Sequence, residues 1–323
     1  MTVVDLSKQI AVGIDIGGTN TKYGLVNHRG QILAKGSMKT VTESPEAFVD
    51  ALYETLSPVV DMYSQDNVLD GIGIGAPNAN YYTGTIENAA NLPWKGIIPF
   101  GQMMSEKFGV PCKMTNDANA AAYGEMMFGA ARGMKDFIMI TLGTGVGSGI
   151  VSGGKLIYGH DGFAGELGHT IVKPGGRKHW NTGSEGSLEA YASATGITIT
   201  AKKMRAEFPE SLLNNYAEEE INAKTVHECA LKGDPIAIEV FRYTGQKLGE
   251  AFANFVMFSS PEAILLFGGV IKAGDFILKP AKLHMERNLF PTFRNKVKLV
   301  FSELDEADAA ILGASALVWE NKS

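Results

Sequence analysis

Asp117 stands in the run Thr115-Asn116-Asp117-Ala118-Asn119-Ala120, between an apolar stretch and an alanine-rich one. A carboxylate at such a strand-to-helix junction can act as a general base, accepting the proton of a hydroxyl whose oxygen attacks a phosphoryl group. Asn116 can orient neighbouring hydroxyls. Either residue equally suits the N-cap of the following helix, and the two roles can be divided between them. A second cluster, Gly159 to Thr170, places Glu166 three residues before His169. One accepts hydrogen bonds and the other can donate, the complement that a polyhydroxylated ligand requires. Glu185 and Glu189 add carboxylates near the start of an expected helix, where solvated first-turn acids are the plainer reading, more so for Glu185.

A different chemistry is written twice. The stretch Val12 to Asn27 runs from an apolar strand through Asp15-Ile-Gly-Gly-Thr-Asn-Thr-Lys22 into a second strand, and Phe137 to Ser152 does the same through Gly143-Thr-Gly145. Glycine takes positive φ and lets backbone N–H groups reach an anion, so each turn can form a phosphate nest, with Thr19, Thr21 and Thr144 adding hydroxyls. Asp15, one residue ahead of the first glycine pair, is suited to hold Mg²⁺ through water. Tight glycine hairpins are ordinary in themselves, and it is the repetition that argues for a bound phosphate. Neither turn has the Walker spacing or a G-x-G-x-x-G entering a helix; the alternation after Gly18 is that of a strand, which argues against a Rossmann dehydrogenase.

The elements that must carry these groups also repeat. A three-strand meander is followed by a helix over 44–63, a strand over 69–75, a partly helical stretch over 95–108, a short strand over 110–114 and a helix over 117–129. A new meander opens at Phe137, with its third strand expected over 155–158, as internal duplication would give. The chain then reads as mostly helical from Leu188 to a strand at 263–267 that enters Gly268-Gly269, and ends in an alanine-rich helix over 308–320 that can return to the first domain. With 323 residues, 45% hydrophobic, there is material for two domains, expected as 1–118 plus 308–323 and as 119–307. A net charge of −6 offers no general attraction for nucleic acid. Two cysteines without pair spacing fit a reducing cytoplasm rather than a disulfide framework. The first ten residues lack the regions of a signal peptide, and no apolar run is long enough for a membrane span.

Taken together, Asp15 to Lys22, Asn91-Leu-Pro-Trp94, Asn116-Asp-Ala-Asn119, Leu142 to Gly147, Gly165-Glu-Leu-Gly-His169, Leu188-Glu189 and Phe267-Gly-Gly269 resemble, in order and spacing, the ROK group of sugar kinases and repressors. The resemblance covers nearly the whole chain. It implies an α/β fold of two duplicated actin-like, hexokinase-like (ribonuclease H-like) ATPase domains with an interdomain cleft. It also implies ATP- and Mg²⁺-dependent phosphoryl transfer to a hexose hydroxyl, usually O6. By resemblance, Asp117 is the catalytic base, and Asn91, Asn116, Glu166, His169 and Glu189 bind the sugar. Gly17, Gly18, Thr19, Asn20, Thr21, Lys22, Gly143, Thr144 and Gly145 surround the phosphates, and Gly268 and Gly269 lie beside the adenosine. The family habit implies a homodimer or homotetramer in the cytoplasm.

One departure is large. Relatives continue from the glutamate-glycine-histidine element into a cysteine zinc knuckle, C-x-C-G-x2-G-C, with the histidine as fourth ligand. Here the stretch from Lys173 to Glu189 contains no cysteine; His179, Asn181 and Ser187 fall near the ligand positions. Asn and Ser are poor partners for zinc, so no structural zinc is expected. The loop then has to hold His169 by hydrogen bonding and packing, with Trp180 buried against it. A smaller departure is Asn78, which follows Ala76-Pro77 where relatives have a glycine; it can add a polar contact or cap the turn.

Within the kinases, the resemblance puts a glucokinase first and an N-acetylhexosamine kinase (GlcNAc or ManNAc) second, with allose, mannose and fructose open. ATP and polyphosphate would use the same glycine nests. A sugar-responsive regulator of the same family would carry a helix-turn-helix module, for which the ten residues ahead of Ala11 are too few. A catalytically silent sugar sensor is the third reading, against which the intact turns and Asp117 weigh.

Overall fold

In a computed structural model of the protein, residues 8–41 and 43–320 are described. The chain divides into two compact units: Met1–Met134 with Lys155–Gly165 and Ser302–Ser323, and Lys135–Gly154 with Glu166–Phe301. Residues 119–134, 155–165 and 302–307, expected in the second domain, group with the first.

In the first unit, β1 (Gln9–Ile16), β2 (Asn20–Asn27) and β3 (Ile32–Lys39) form an antiparallel meander. After α1 (Pro45–Tyr63) come β4 (Val68–Gly75), the short pair β5 (Ile86–Glu87) and β6 (Ile97–Ile98), α2 (Phe100–Phe108), β7 (Cys112–Thr115) and α3 (Asp117–Phe128). The sheet order is β3-β2-β1-β4-β7, with β1, β4 and β7 parallel. Covered on both faces, β1 reads as a nearly unbroken apolar run, whereas the edge strand β3 is half-buried and exposed in turn. The Ser44 hydroxyl accepts the Ala47 N–H, Pro45 fills the first helical position, and α1 buries Phe48, Val49, Leu52 and Leu56 as one stripe. The stretch over 95–108, expected to be partly helical, is helical from Phe100 onward. The residues before it fold back, and Lys95 Nζ donates to the carbonyls of Ala89 and Leu92 at 3.0 and 3.1 Å.

The second unit repeats the plan with β8 (Phe137–Leu142) and β9 (Val146–Ser152) antiparallel; β10 (Lys155–Leu156), whose residues group with the first unit, follows β9 in the chain. Helices α4 (Glu189–Ala192), α5 (Ala194–Glu207), α6 (Ala223–Leu231) and α7 (Pro235–Ser259) precede β11 (Ala263–Phe267), α8 (Asp275–Asn288) and β12 (Lys298–Phe301). The order β10-β9-β8-β11-β12, with β8, β11 and β12 parallel, is that of the first sheet element for element. The third strand stops at Leu156. Tyr158, expected to continue it, stacks instead on Tyr81 with ring centroids 3.8 Å apart.

The last helix, α9 (Glu306–Ala316), belongs to the first unit. Small residues let it lie directly on the backbone: a Cβ on Gly13 would stand 2.2 Å from the Ile311 carbonyl oxygen, and one on Gly73 would stand 1.8 Å from that of Ala314. Gly313 meets the Ala120 carbonyl in the same way, so α9 is clamped against both the sheet and α3. This explains the alanine-rich, almost wholly buried face of α3. No described helix is long and apolar enough to cross a membrane.

Candidate active site

In open parallel sheets, functional groups collect beyond the carboxyl ends of the strands. The first unit follows that rule: Gly17-Gly18 leave β1, Ala76-Pro77-Asn78 leave β4, and Asn116-Asp117 leave β7. At the third of these ends the Asn116 side chain accepts the Ala118 N–H at 2.8 Å and caps α3. Asp117 Oδ1 accepts the same N–H at 2.8 Å, so the cap is shared. The Asn116 amide nitrogen has no hydrogen bond among the described residues, which leaves it free to donate. Asp117 is open to solvent at its surface, yet the protein around it desolvates the carboxylate enough to hold its pKa above the usual range against the pull of that N–H.

Asp15 is one residue from the end of β1 and directly across the ladder from Lys22, on the same face of the sheet. Its pKa is raised to about 6, first by burial and then by the charge of Asp117, while Lys22 pulls the other way. Two carboxylates that repel each other favour a dication. That donor set suits Mg²⁺, which uses one or two carboxylates and keeps its waters. No cluster of three or more His, Cys, Asp or Glu side chains that could hold a metal ion is present among the described residues.

The glycines of the first turn are needed for a different reason from the expected one. Neither Gly17 nor Gly18 has positive φ. A Cβ on Gly18 would stand 2.2 Å from the Asn91 carbonyl oxygen, and one on Gly17 would stand 2.8 Å from that of Asn20. The constraint is close approach, and it brings exposed Asn91 beside the turn. Thr19 and Asn20 are exposed on it. Thr21, expected among the phosphate-lining hydroxyls, is instead 0% exposed and pairs with the Thr40 hydroxyl at 3.0 Å. Thr40 in turn donates to the Gly17 carbonyl at 2.6 Å. The two threonines buttress the turn from beneath, and only the turn's outer face is left for a ligand. Asn78 resolves as a turn residue: its φ is 52° and its amide donates to the Glu87 carbonyl at 3.0 Å.

In the second unit, Gly143, Thr144 and Gly145 join β8 to β9, with Thr144 exposed. A Cβ on Gly143 would meet nothing within 4 Å, whereas one on Gly145 would lie 2.5 Å from Glu189 Oε2. Gly268, at the end of β11, has φ 102° and sits against the Leu142 carbonyl, so Gly268-Gly269 flank the same turn. The base of α5 docks there as well: the Ala194 N–H donates to the Gly143 carbonyl at 2.8 Å and the Thr195 hydroxyl to that of Thr144 at 3.1 Å. Beside it lies a cavity of about 440 Å³ lined by Thr144, Thr195, Thr198, Lys202 and Asn222 among others. Apart from Thr144 these residues carry no motif, and nothing in their spacing announces them.

Glu166 and His169 bracket a single 3₁₀ turn, Leu167–His169, and both side chains are exposed. The turn is pressed onto β9. The Leu167 N–H donates to Ser148 Oγ at 3.0 Å, and a Cβ on Gly168 would stand 2.1 Å from the Val146 carbonyl oxygen. Glu189 is the first residue of α4; its Oε2 accepts the Val146 N–H at 2.6 Å and its Oε1 meets His179 Nε2 at 2.6 Å. Glu185 is not in a helix. It is exposed in a small antiparallel bridge to Lys178.

The loop from Lys173 to Glu189 is held by its own hydrogen bonds. Arg177 donates to the carbonyls of Ala190 and Gly196 at 2.6 and 2.8 Å and to the Thr200 hydroxyl at 2.9 Å, and lies over the Tyr191 ring. Gly186, at φ 82°, accepts from Val172 and Lys173 and donates to Arg177. Trp180 is not buried against His169 as expected. It is 40% exposed and tilts over His179, whose own ring lies edge-on to His169 at 5.6 Å.

Comparison with known proteins follows the same lines. Residues 11–321 match the family model described as ROK family. A glucokinase of Halalkalibacterium halodurans is 37% identical over 326 residues, covering 98% of this chain and 97% of that protein. One of Thermotoga maritima is 34% identical, with 96% and 97% covered. Among solved structures, a ROK family glucokinase from Streptomyces griseus in complex with glucose and AMPPNP superposes with a TM-score of 0.79 at 33% identity, over 97% of this chain and 100% of the other.

Proposed function

We propose that this chain, which belongs to the ROK family, is an ATP-dependent glucokinase that phosphorylates a hexose hydroxyl, O6 in glucose. The actin-like, hexokinase-like fold is the frame on which such kinases are built. The observation that carries the reading is the carboxylate of Asp117 just beyond β7, with its pKa raised by desolvation, and its electrostatic partner Asp15 near the end of β1, the glycine-turn strand two places along the same sheet.

In this mechanism Asp117 accepts the proton of the sugar hydroxyl as that oxygen attacks the γ-phosphorus, and the bond to the bridging oxygen of ADP breaks. A raised pKa makes the carboxylate a better base than an ordinary aspartate. Asn116 donates from its free amide, and Asn91, Glu166, His169 and Glu189 bind the other hydroxyls. The turn at Gly17, Gly18, Thr19 and Asn20 and the turn at Gly143, Thr144 and Gly145 receive the phosphates through backbone N–H groups. Lys22 adds positive charge beside Asp15, and Gly268 and Gly269, with the cavity at Thr195 and Asn222, receive the adenosine. Asp15 would hold Mg²⁺ through water, and the cation when bound neutralises phosphate charge. The sugar and ATP are the partners of this reading, and a homodimer or homotetramer is its assembly, which light scattering checks.

The test is an ATP-consumption screen against glucose, N-acetylglucosamine, N-acetylmannosamine, mannose, allose and fructose. Glucose is expected to give the highest kcat/KM. A preference for either acetylated sugar would make the protein an N-acetylhexosamine kinase, and turnover of none would favour a sugar-responsive regulator or sensor.

A further inference from the structure

His179 is 2% exposed, in a loop whose neighbours are in solvent. Its Nδ1 faces three donors: the N–H groups of Asn181 and Thr182 at 3.3 and 3.2 Å, and the Thr182 hydroxyl at 3.1 Å. A proton on Nδ1 would point into these, so Nδ1 is the acceptor and Nε2 carries the hydrogen. That hydrogen is donated to Glu189 Oε1 at 2.6 Å. The other oxygen of the same carboxylate accepts the Val146 N–H at 2.6 Å, one residue beyond the second glycine turn. Gly145 is glycine at the point where a Cβ would strike that oxygen. A buried imidazole, a carboxylate and a turn amide therefore form one continuous hydrogen-bonded line.

We infer that His179 is a positioning residue that fixes the Glu189 carboxylate in one rotamer, and through it ties the sugar-reading acid to the geometry of the Gly143–Gly145 phosphate turn. The inference rests on the proposed kinase reading for its kinetic consequences, but its structural content is independent of that reading. Glu189 has two oxygens and both are oriented from inside the protein, one by the loop and one by the turn. Rotation of the carboxylate toward a hydroxyl on one side necessarily breaks a bond on the other. With His179 in place, the carboxylate is presented without rotation, its remaining lone pairs available for a hydroxyl donor. Without the imidazole, Oε1 loses its fixed donor, Glu189 gains rotamer freedom, and Val146 loses a fixed acceptor. The expected signature is a joint one: sugar affinity and nucleotide affinity deteriorate together, although His179 belongs to neither set of binding residues.

Three measurements on full-length protein test this. In His179→Phe, which keeps a ring against Trp180 but removes both nitrogens, the KM values for glucose and for ATP are each expected to rise about tenfold or more, the scale of losing a charge-assisted hydrogen bond. His179→Gln, whose side-chain amide can donate to Glu189, is expected to recover most of both. Hydrogen exchange at residues 143–147, followed by mass spectrometry without any substrate, is expected to accelerate in the Phe variant and return toward wild type in the Gln variant. A folded Phe variant with both KM values and the exchange unchanged overturns the inference, as does a rise confined to one substrate. If the Phe variant does not fold, slow exchange in the Gln variant together with fast exchange in Glu189→Ala supports it, and equal exchange in those two overturns it. Should the wild type phosphorylate no sugar, the kinase reading falls and the exchange data alone decide the positioning role.

Discussion

Asp15→Asn is expected to make the protein more stable and less active, by an amount that depends on pH. The carboxylate has a pKa of about 6 in the folded chain against 3.8 as the reference value, so the folded state binds its proton more tightly than the unfolded state does. Below pH 3.8 the group is protonated in both states and carries no penalty. As pH rises through the window from 3.8 to 6 the unfolded state ionises first, and stability is lost until both states are charged. At pH 8 the full cost is present: roughly two pKa units, or about 3 kcal/mol, while at pH 4 it is about 0.5 kcal/mol. Asparagine removes the charge with little change of shape. For a unit of this size the gain corresponds to about 6–12 °C in Tm at pH 8 and little at pH 4. Calorimetric unfolding without divalent cations at the two pH values provides the assay. Addition of Mg²⁺ is expected to narrow the difference by stabilising the wild type alone. A Tm at pH 8 that is unchanged or lower in the variant, or an equal gain at both pH values, refutes the reasoning that burial and Asp117 strain this carboxylate.

Three other outcomes follow from the packing. Gly18→Ala drives a methyl into the Asn91 carbonyl oxygen and is expected to lower kcat/KM by about a hundredfold through misplacement of the turn; kinetics within threefold of wild type would show that the turn tolerates the shift. Arg177→Met strands the carbonyls of Ala190 and Gly196 and is expected to cost about 3 kcal/mol or more in urea unfolding, whereas an unchanged midpoint would mean that the loop has another anchor. Purified protein is expected to contain no stoichiometric zinc, and one zinc per chain by elemental analysis would reverse that expectation.

Much of the architecture was legible because the two meanders announce themselves by the same pattern, apolar strand into glycine turn into alternating strand. The cap of α1 at Ser44-Pro45 and the junction at Asn116-Asp117 were readable for the same reason, since each depends on local residue chemistry. Elements set by tertiary contact were not. α8 and β12 have no local signature that separates them from the surrounding stretch, and Thr21 looks like a ligand hydroxyl until Thr40, nineteen residues on in sequence, is brought beneath it. The glycines of the turns stand out in the sequence, but the contacts that require glycine at Gly17, Gly18 and Gly145 do not. Positive φ is a local property, while the approach of Asn91 to Gly18 and of Glu189 to Gly145 exists only in the folded chain. Arg177 stands in no chemical motif, and His179 was legible only as a residue near a zinc-ligand position; what they do is visible only through the carbonyls and the carboxylate they meet.

The central claim is that Asp117 is the base of a glucose phosphotransfer reaction, and Asp117→Asn tests it most directly. The shared cap at Ala118 survives through Asn116, so the helix is expected to persist and glucose binding by calorimetry to stay within a few-fold of wild type. Turnover measured by glucose 6-phosphate formation is expected to fall by at least about a hundredfold. Near-normal turnover in a variant that still binds glucose would contradict the account.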